Sequence, residues 1–215
     1  MQPFRVELDL ATNMVASDPI HLDGFLAALA VQQASGNIEA GETLPLDQSS
    51  GMWKASIFIA PTIWRDRMSY IRKADVWQTA LDKNVAFSGG GNTLNTSSGS
   101  FKAYQFFRST RQAPKAVAWG IGDINKVRAL FDTALSLGPL ARLGMGQINK
   151  VKVIEDDRAN QYWKLRNLGA LERGYHQGVG AIKPPYWKRT DHQEIWIPSR
   201  SVIRSVEAQL SQIMR

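Results

Sequence analysis

Between Val117 and Ile154 the chain sets out a short apolar strand, an amphipathic helix, a glycine-bearing bend and an alternating strand, in that order. Val117–Gly122 is a short apolar run bounded by glycine, the length of a buried strand rather than a helix. Asp123 stands where it would cap a helix from Ile124 to about Leu137, with Ile124, Val127, Leu130, Phe131 and Leu135 on one face. Ile148–Ile154 then alternates as a half-buried strand does. In the intervening bend, Gly144 and Gly146 allow positive φ and close approach of a ligand to the backbone, with Arg142 and Lys150 as flanking cations. Exposed N–H groups in such a bend suit an anion, although an ordinary tight turn uses the same residues.

The earlier half supplies a similar order. Phe4–Leu10 alternates apolar and charged residues, His21 to about Gln33 reads as a buried helix stopped by Gly36, and Trp53–Ile59 alternates again before Pro61. Arg65, Arg67, Arg72 and Lys73 decorate a short helix, Phe87–Ser100 is rich in Gly, Ser, Thr and Asn, and Phe101–Arg108 reads as a strand. The expected fold is therefore α+β, of the split βαβ, ferredoxin-like or RRM-like kind. It would have an antiparallel sheet, two helices on one face and the other face free. The expected organisation is a core over 1–157 that includes an insertion at about 64–115, and a C-terminal extension over 158–215. That extension reads as irregular until a terminal helix over 199–214.

Charge narrows the partners. The 215 residues carry a formal net charge of +7, spread unevenly. Residues 1–50 hold one basic and seven acidic residues, whereas 51–215 hold 25 basic and 12 acidic ones. A basic body of this kind draws nucleic acid through its long-range field, and no cationic amphipathic helix argues for a membrane surface. Cysteine is absent, and His21, His176 and His192 lack ligand spacing, so no metal and no cofactor is expected. Glu155-Asp156-Asp157 reads as a solvated turn. With no signal-like leader and no run of about 18 apolar residues, the chain is expected to be cytoplasmic and not membrane-bound.

Several of these segments carry a resemblance. The Phe4–Leu10 strand followed by Pro19-Ile20-His21-Leu22-Asp23, and Trp119-Gly120-Ile121-Gly122-Asp123-Ile124-Asn125-Lys126-Val127 leading to Leu143-Gly144-Met145-Gly146, resemble the RAMP superfamily of CRISPR proteins. With Pro184-Pro185-Tyr186-Trp187 and Trp196-Ile197-Pro198, the chain is most similar to the Cas-five-type subunit of type IV effector complexes. The resemblance implies a RAMP fold with a glycine-rich loop and a thumb-like basic insertion between about Phe87 and Lys115. It also implies a role capping the 5′ handle of the guide RNA (crRNA), beside the repeating backbone RAMP subunits and the large subunit, with target DNA passing near the thumb. The loop would be Arg142, Gly144, Met145 and Gly146. RAMP glycine loops often carry several basic residues and this one has only Arg142 before Gly144, so Lys150, Lys102, Arg108, Arg111 and Lys115 would share the phosphate grip.

Two mixed aromatic and basic clusters join this set, Trp64 with Arg65 and Arg67, and Tyr186-Trp187 with Lys188 and Arg189. Such clusters stack on splayed bases, at ~1–3 kcal/mol per base, or simply pack on the surface. Some RAMP relatives cut RNA without metal, and His21 stands where their general base could sit, yet no lysine or tyrosine lies between Thr12 and Gln33 to complete that site. His21 otherwise caps the helix or packs on the sheet. The expectation is a non-enzymatic guide-RNA subunit. A metal-independent repeat endonuclease and a general RNA-binding protein are the alternatives.

Overall fold

The computed structural model describes residues 1–15, 19–72, 97–99 and 102–213. The glycine-rich expectation over Phe87–Asn92, and most of the run to Ser100, lie outside the described residues. In chain order the elements are β1 (Gln2–Leu10), α1 (Leu22–Gln33), β2 (Trp64–Arg72), β3 (Tyr104–Gln112), β4 (Lys115–Gly122), α2 (Ile124–Phe131), β5 (Ile148–Glu155), α3 (Ala159–Tyr162), β6 (Tyr175–Gly180), β7 (Gln193–Pro198) and α4 (Arg200–Ile213). They form two compact units, Met1–Trp64 with Arg111–Arg215, and Arg65–Thr110.

Alternation in β1 decides the centre of the first unit. Phe4, Val6 and Leu8 are fully buried on one face, while Arg5, Glu7 and Asp9 take the other. β1 runs antiparallel to β4 on one side and to β5 on the other, with Val6 opposite both Ala118 and Val153. The segment expected as a second full strand, Trp53–Ile59, reaches β4 only through single antiparallel bridges at Ala55 and Ile59. Its remaining main-chain groups turn elsewhere. Phe58 N–H donates to the Ile20 carbonyl at 2.7 Å, Ile57 N–H to Leu165 at 2.7 Å, and Leu22 N–H to Ser56 at 2.9 Å. Sandwiched between three neighbours, the segment cannot keep one continuous ladder.

α1 and α2 pack with β1, β4 and β5 around one core that includes Leu22, Leu26, Val127 and Phe131. Asp123 caps α2 as its position predicts, accepting from the N–H groups of Asn125 and Lys126 at 3.1 and 3.2 Å. The helix stops at Phe131 rather than near Leu137. Gln33 of α1 explains the early stop, because its Nε2 donates to the Ala129 and Leu130 carbonyls that a further turn would have used.

The expected free sheet face is covered in part. Val117 and Trp119 of β4, with Ile57 and Ile59, are sealed by Ala159, Leu165, Val206 and Leu210 from the C-terminal extension. That extension is also more regular than its sequence implies, since β6 and β7 pair antiparallel from Tyr175–Pro198 to Gly180–Gln193. Asp156 is no solvated carboxylate. It accepts from Arg5 and Arg158 at 2.8 Å each and from Trp119 Nε1 at 3.3 Å, which ties the end of β5 to the sheet.

In the second unit the segment expected as a short helix is a strand as far as it is described, through Arg72. β2 is hydrogen-bonded to β3, and the contacts Arg67–Phe107, Tyr70–Phe106 and Arg72–Tyr104 fall in reverse order, as in an antiparallel pair. Cross-strand aromatic and cation pairs outweigh the helical spacing of the arginines.

Candidate nucleic-acid interface

The bend after α2 is built from positive φ. Gly138, Leu140, Gly144 and Gly146 all take that region, Gly144 at 77° and Gly146 at 63°. The two loop glycines do different work. A Cβ on Gly146 would lie 2.1 Å from the Leu137 carbonyl oxygen, whereas one on Gly144 would meet open space. Thr12 pins the bend from the end of β1: its hydroxyl donates to the Gly144 carbonyl at 2.6 Å and accepts from Gln147 N–H at 2.9 Å.

These bonds alter the expected anion site. The N–H groups of Leu143, Gly144 and Gly146 are spent on Leu140, Ala141 and Asn13, and that of Met145 on Leu140. The expected nest of free amides at Gly144–Gly146 is therefore already occupied by the fold. Met145 is buried with Gly146, so neither presents a side chain outward. What faces solvent is Arg142, exposed and without an ion pair among the described residues, beside the open side of Gly144.

Arg142 and Gly144 form part of the wall of an open groove of about 1730 Å³, with His21 and Gly24 at the start of α1, Val179 and Ile195 of the β6–β7 pair, and Trp187-Lys188. That volume exceeds a typical small-ligand pocket of about 300–1,000 Å³, and most of the groove wall is apolar. Of the sequence-predicted residues, the fold brings Arg142, Gly144 and Lys188 together here.

The others are distributed. Lys150 is exposed on β5 and Lys115 half-buried on β4, and both stand opposite Asp9 of β1 in the strand register. Arg189 is exposed in the turn after Lys188, and Arg111 is half-buried near the end of β3. Trp64, Arg65, Arg67, Lys102 and Arg108 are exposed on or beside the β2–β3 pair. There Arg67 stacks over Phe107 at 4.2 Å and Arg108 over Phe106 at 5.3 Å. Only part of the implied thumb, Phe87–Lys115, is described.

Beneath the groove lies a buried polar cluster that sequence reasoning missed. Arg166 and Asp23 are both 0% exposed and pair at 2.9 Å. Arg166 also donates to the carbonyls of Trp53, Ala55 and Ile182 and to the Tyr186 hydroxyl, which itself donates to Asp23 at 2.8 Å. Tyr186 was legible only as half of an aromatic–basic cluster; the fold buries its hydroxyl and leaves Trp187 outside. His21 stacks on Tyr186 at 4.3 Å between ring centroids, makes no capping bond to α1, and has its Nδ1 sealed without a partner.

Burial, with the Arg166 charge adding to it, pulls the His21 imidazole from 6.5 down to about 3. An unfolded histidine takes up a proton near pH 6.5, so this contribution to stability is intact above that value and falls as pH drops toward 3. Burial raises Asp23, against the Arg166 charge and the Tyr186 hydrogen bond, so its carboxyl gains a proton in the fold first and offsets part of the loss at the acid end. In urea melts at about pH 7 and about pH 4.5, wild type should lose roughly 2–3 kcal/mol more than His21→Phe. An equal loss in both proteins would place the acid sensitivity elsewhere.

Among the described residues, no helix is long and apolar enough to cross a membrane, and no group of three or more His, Asp and Glu could hold a metal ion. Compared with known families, residues 2–198 match the profile of the CRISPR type IV associated protein Csf3. Comparison with curated proteins gives no match. Among solved structures, a similar chain occurs in the cryo-EM structure of the Type III-B Cmr-beta bound to cognate target RNA. Identity is 9%, the TM-score is 0.39, and the likeness covers 72% of this chain and 61% of that one.

Proposed function

Since the chain belongs to the Csf3 family of type IV CRISPR-associated proteins, we propose that it is a non-catalytic RNA-binding subunit of a type IV effector complex, holding the 5′ handle of the guide RNA. The observation that carries the reading is the Thr12-pinned bend, which presents unpaired Arg142 and the open side of Gly144 to an open groove shared with Lys188. Sheet order supports it as well: β5, β1 and β4 are antiparallel neighbours, the 53–59 segment bridges to β4, and α1 and α2 pack on the same core, an order consistent with the ferredoxin-like RAMP core we infer. Phosphate contacts supply most of the affinity, and the exposed Trp187 offers a face on which a splayed base can stack.

The cationic, aromatic β2–β3 pair serves as the base of a thumb near which target DNA passes, and the repeating backbone and large subunits are the protein neighbours, in the cytoplasm. A non-catalytic role is supported by His21. An imidazole held down to about 3 is a weak base, and its Nδ1 is closed to substrate.

Binding of repeat-derived RNA, measured over a series of salt concentrations, tests this reading. The logarithm of affinity should fall linearly with that of salt, and Arg142→Ala and Lys188→Ala should each lower the slope by about 1. Unchanged slopes in both variants would remove the groove from the RNA site. The same RNA should stay intact with the protein in EDTA. Cleavage that disappears in His21→Ala would establish the nuclease instead.

A further inference from the structure

One strand edge in the C-terminal extension is open. In an antiparallel ladder, facing residues either exchange hydrogen bonds or both point N–H and C=O away from each other. Trp196 of β7 exchanges both its main-chain bonds with Leu168 on the far side, at 2.9 and 2.8 Å, so its pair with Gln177 is of the second kind. Period-two geometry then turns the N–H and C=O of Gln177 and Val179 outward from β6, away from β7. Tyr175 obeys the same parity and sends its N–H to the Glu172 carbonyl at 3.2 Å. Among the described residues nothing does the same for Gln177 or Val179.

This edge lacks the usual protection. β6 reads Tyr-His-Gln-Gly-Val-Gly, with no proline and no lysine to discourage pairing. Its Val179 is 76% exposed and shares the groove wall with Trp187, 78% exposed. Near it in the chain Arg173, Lys183 and Arg189 are exposed and carry no ion pair among the described residues; Glu172 is paired with Lys164 and Asp191 with Lys188, which leaves the exposed Glu194, opposite Val179 on β7, as one carboxylate against three cations.

We propose that β6 is a docking edge for an extended segment of another protein subunit, apolar at alternate positions and acidic in its flanks, which adds as a third strand beside β6. The row alternates donors with acceptors. Phosphates only accept, and an RNA strand would have to turn its 2′-hydroxyls to the Gln177 and Val179 carbonyls, whereas a polypeptide strand answers both from its own main chain and lays a side chain against Val179. The free cations account for the acidic flanks. The proposal takes from the functional reading that the partner is found in the effector particle; it does not depend on the RNA contacts.

The test is amide hydrogen exchange at Gln177 and Val179 in three samples: the isolated chain, the chain with guide RNA alone, and the particle assembled from the co-expressed neighbouring genes with a CRISPR array. At least tenfold slower exchange in the particle only is the expected result. Equal exchange in all three, or slowing by RNA alone, overturns the proposal. Gln177→Pro removes one outward N–H without touching the ladder to β7, at a residue outside the groove wall, and an edge position tolerates proline. Its circular dichroism and RNA affinity should match wild type while particle yield falls at least tenfold. A full yield from the folded variant overturns the proposal; if the variant misfolds, the exchange experiment decides. Failure of the RNA reading would appear separately, as weak, salt-insensitive RNA binding with the edge still protected.

Discussion

Arg166→Ala will lower the free energy of unfolding by about 3–5 kcal/mol, the largest loss expected from a single side chain outside the apolar core. The substitution leaves Asp23 buried without its guanidinium partner and strips donors from the carbonyls of Trp53, Ala55 and Ile182. Each abandoned acceptor costs about 1–3 kcal/mol when no water can reach it. Those acceptors belong to the start of α1, the 53–55 segment and the turn before Tyr186, so one side chain ties the extension to the sheet. The Asp23→Leu/Arg166→Met double variant should lose clearly less than the sum of its single changes, because it removes both charges together. Urea unfolding of wild type, Arg166→Ala, the single changes Asp23→Leu and Arg166→Met, and the double variant measures this. A loss under about 1 kcal/mol in Arg166→Ala would show that the cluster relaxes or admits water.

Gly146→Ala will destabilise by about 2–6 kcal/mol, combining roughly 1–3 for a side chain at positive φ with roughly 1–3 for overlap. The overlap is with backbone: the added carbon meets the Leu137 carbonyl oxygen at 2.1 Å, and the same oxygen's residue accepts no easy shift because Leu137 N–H is bonded to the Gly146 carbonyl at 2.8 Å. Gly144→Ala, at a similar φ but in open space, should cost only about 1 kcal/mol. Thermal melts of the pair separate the roles. Equal losses would mean that the bend moves as a unit, and that Gly146 is not held against Leu137. RNA binding at matched fractions folded should then fall more for Arg142→Ala than for either glycine, since the amides of the bend are already engaged.

The elements legible in the chain are those whose signal is local. Alternation placed β1 and β5 to within a few residues, a short apolar run placed β4, and a buried helical run marked α1. Asp123 announced the start of α2, because a capping bond reaches only two or three residues along the chain. Positive φ at Gly144 and Gly146 was readable for the same reason. The errors arose where a distant partner overrode local preference. Gln33 ended α2 early, cross-strand rings made a strand of 64–72, and three competing neighbours broke up the ladder expected at 53–59.

At the candidate site, the sequence could mark Arg142, Gly144 and Lys188 as residues of the right chemistry without showing that one groove collects them. It could not show that Thr12, over a hundred positions away, would spend the Gly144 carbonyl, or that Asp23, Arg166 and Tyr186 would meet under His21. Nor could it show which strand edge stays unpaired, since that depends on what else has already paired. By itself, then, the chain determined its periodicities, its caps, its turns and the excess of positive charge beyond residue 50. Tertiary structure alone decided which charges lie buried, which amides are free and which surfaces face one another, because burial and hydrogen-bond satisfaction belong to contacts between residues far apart in sequence.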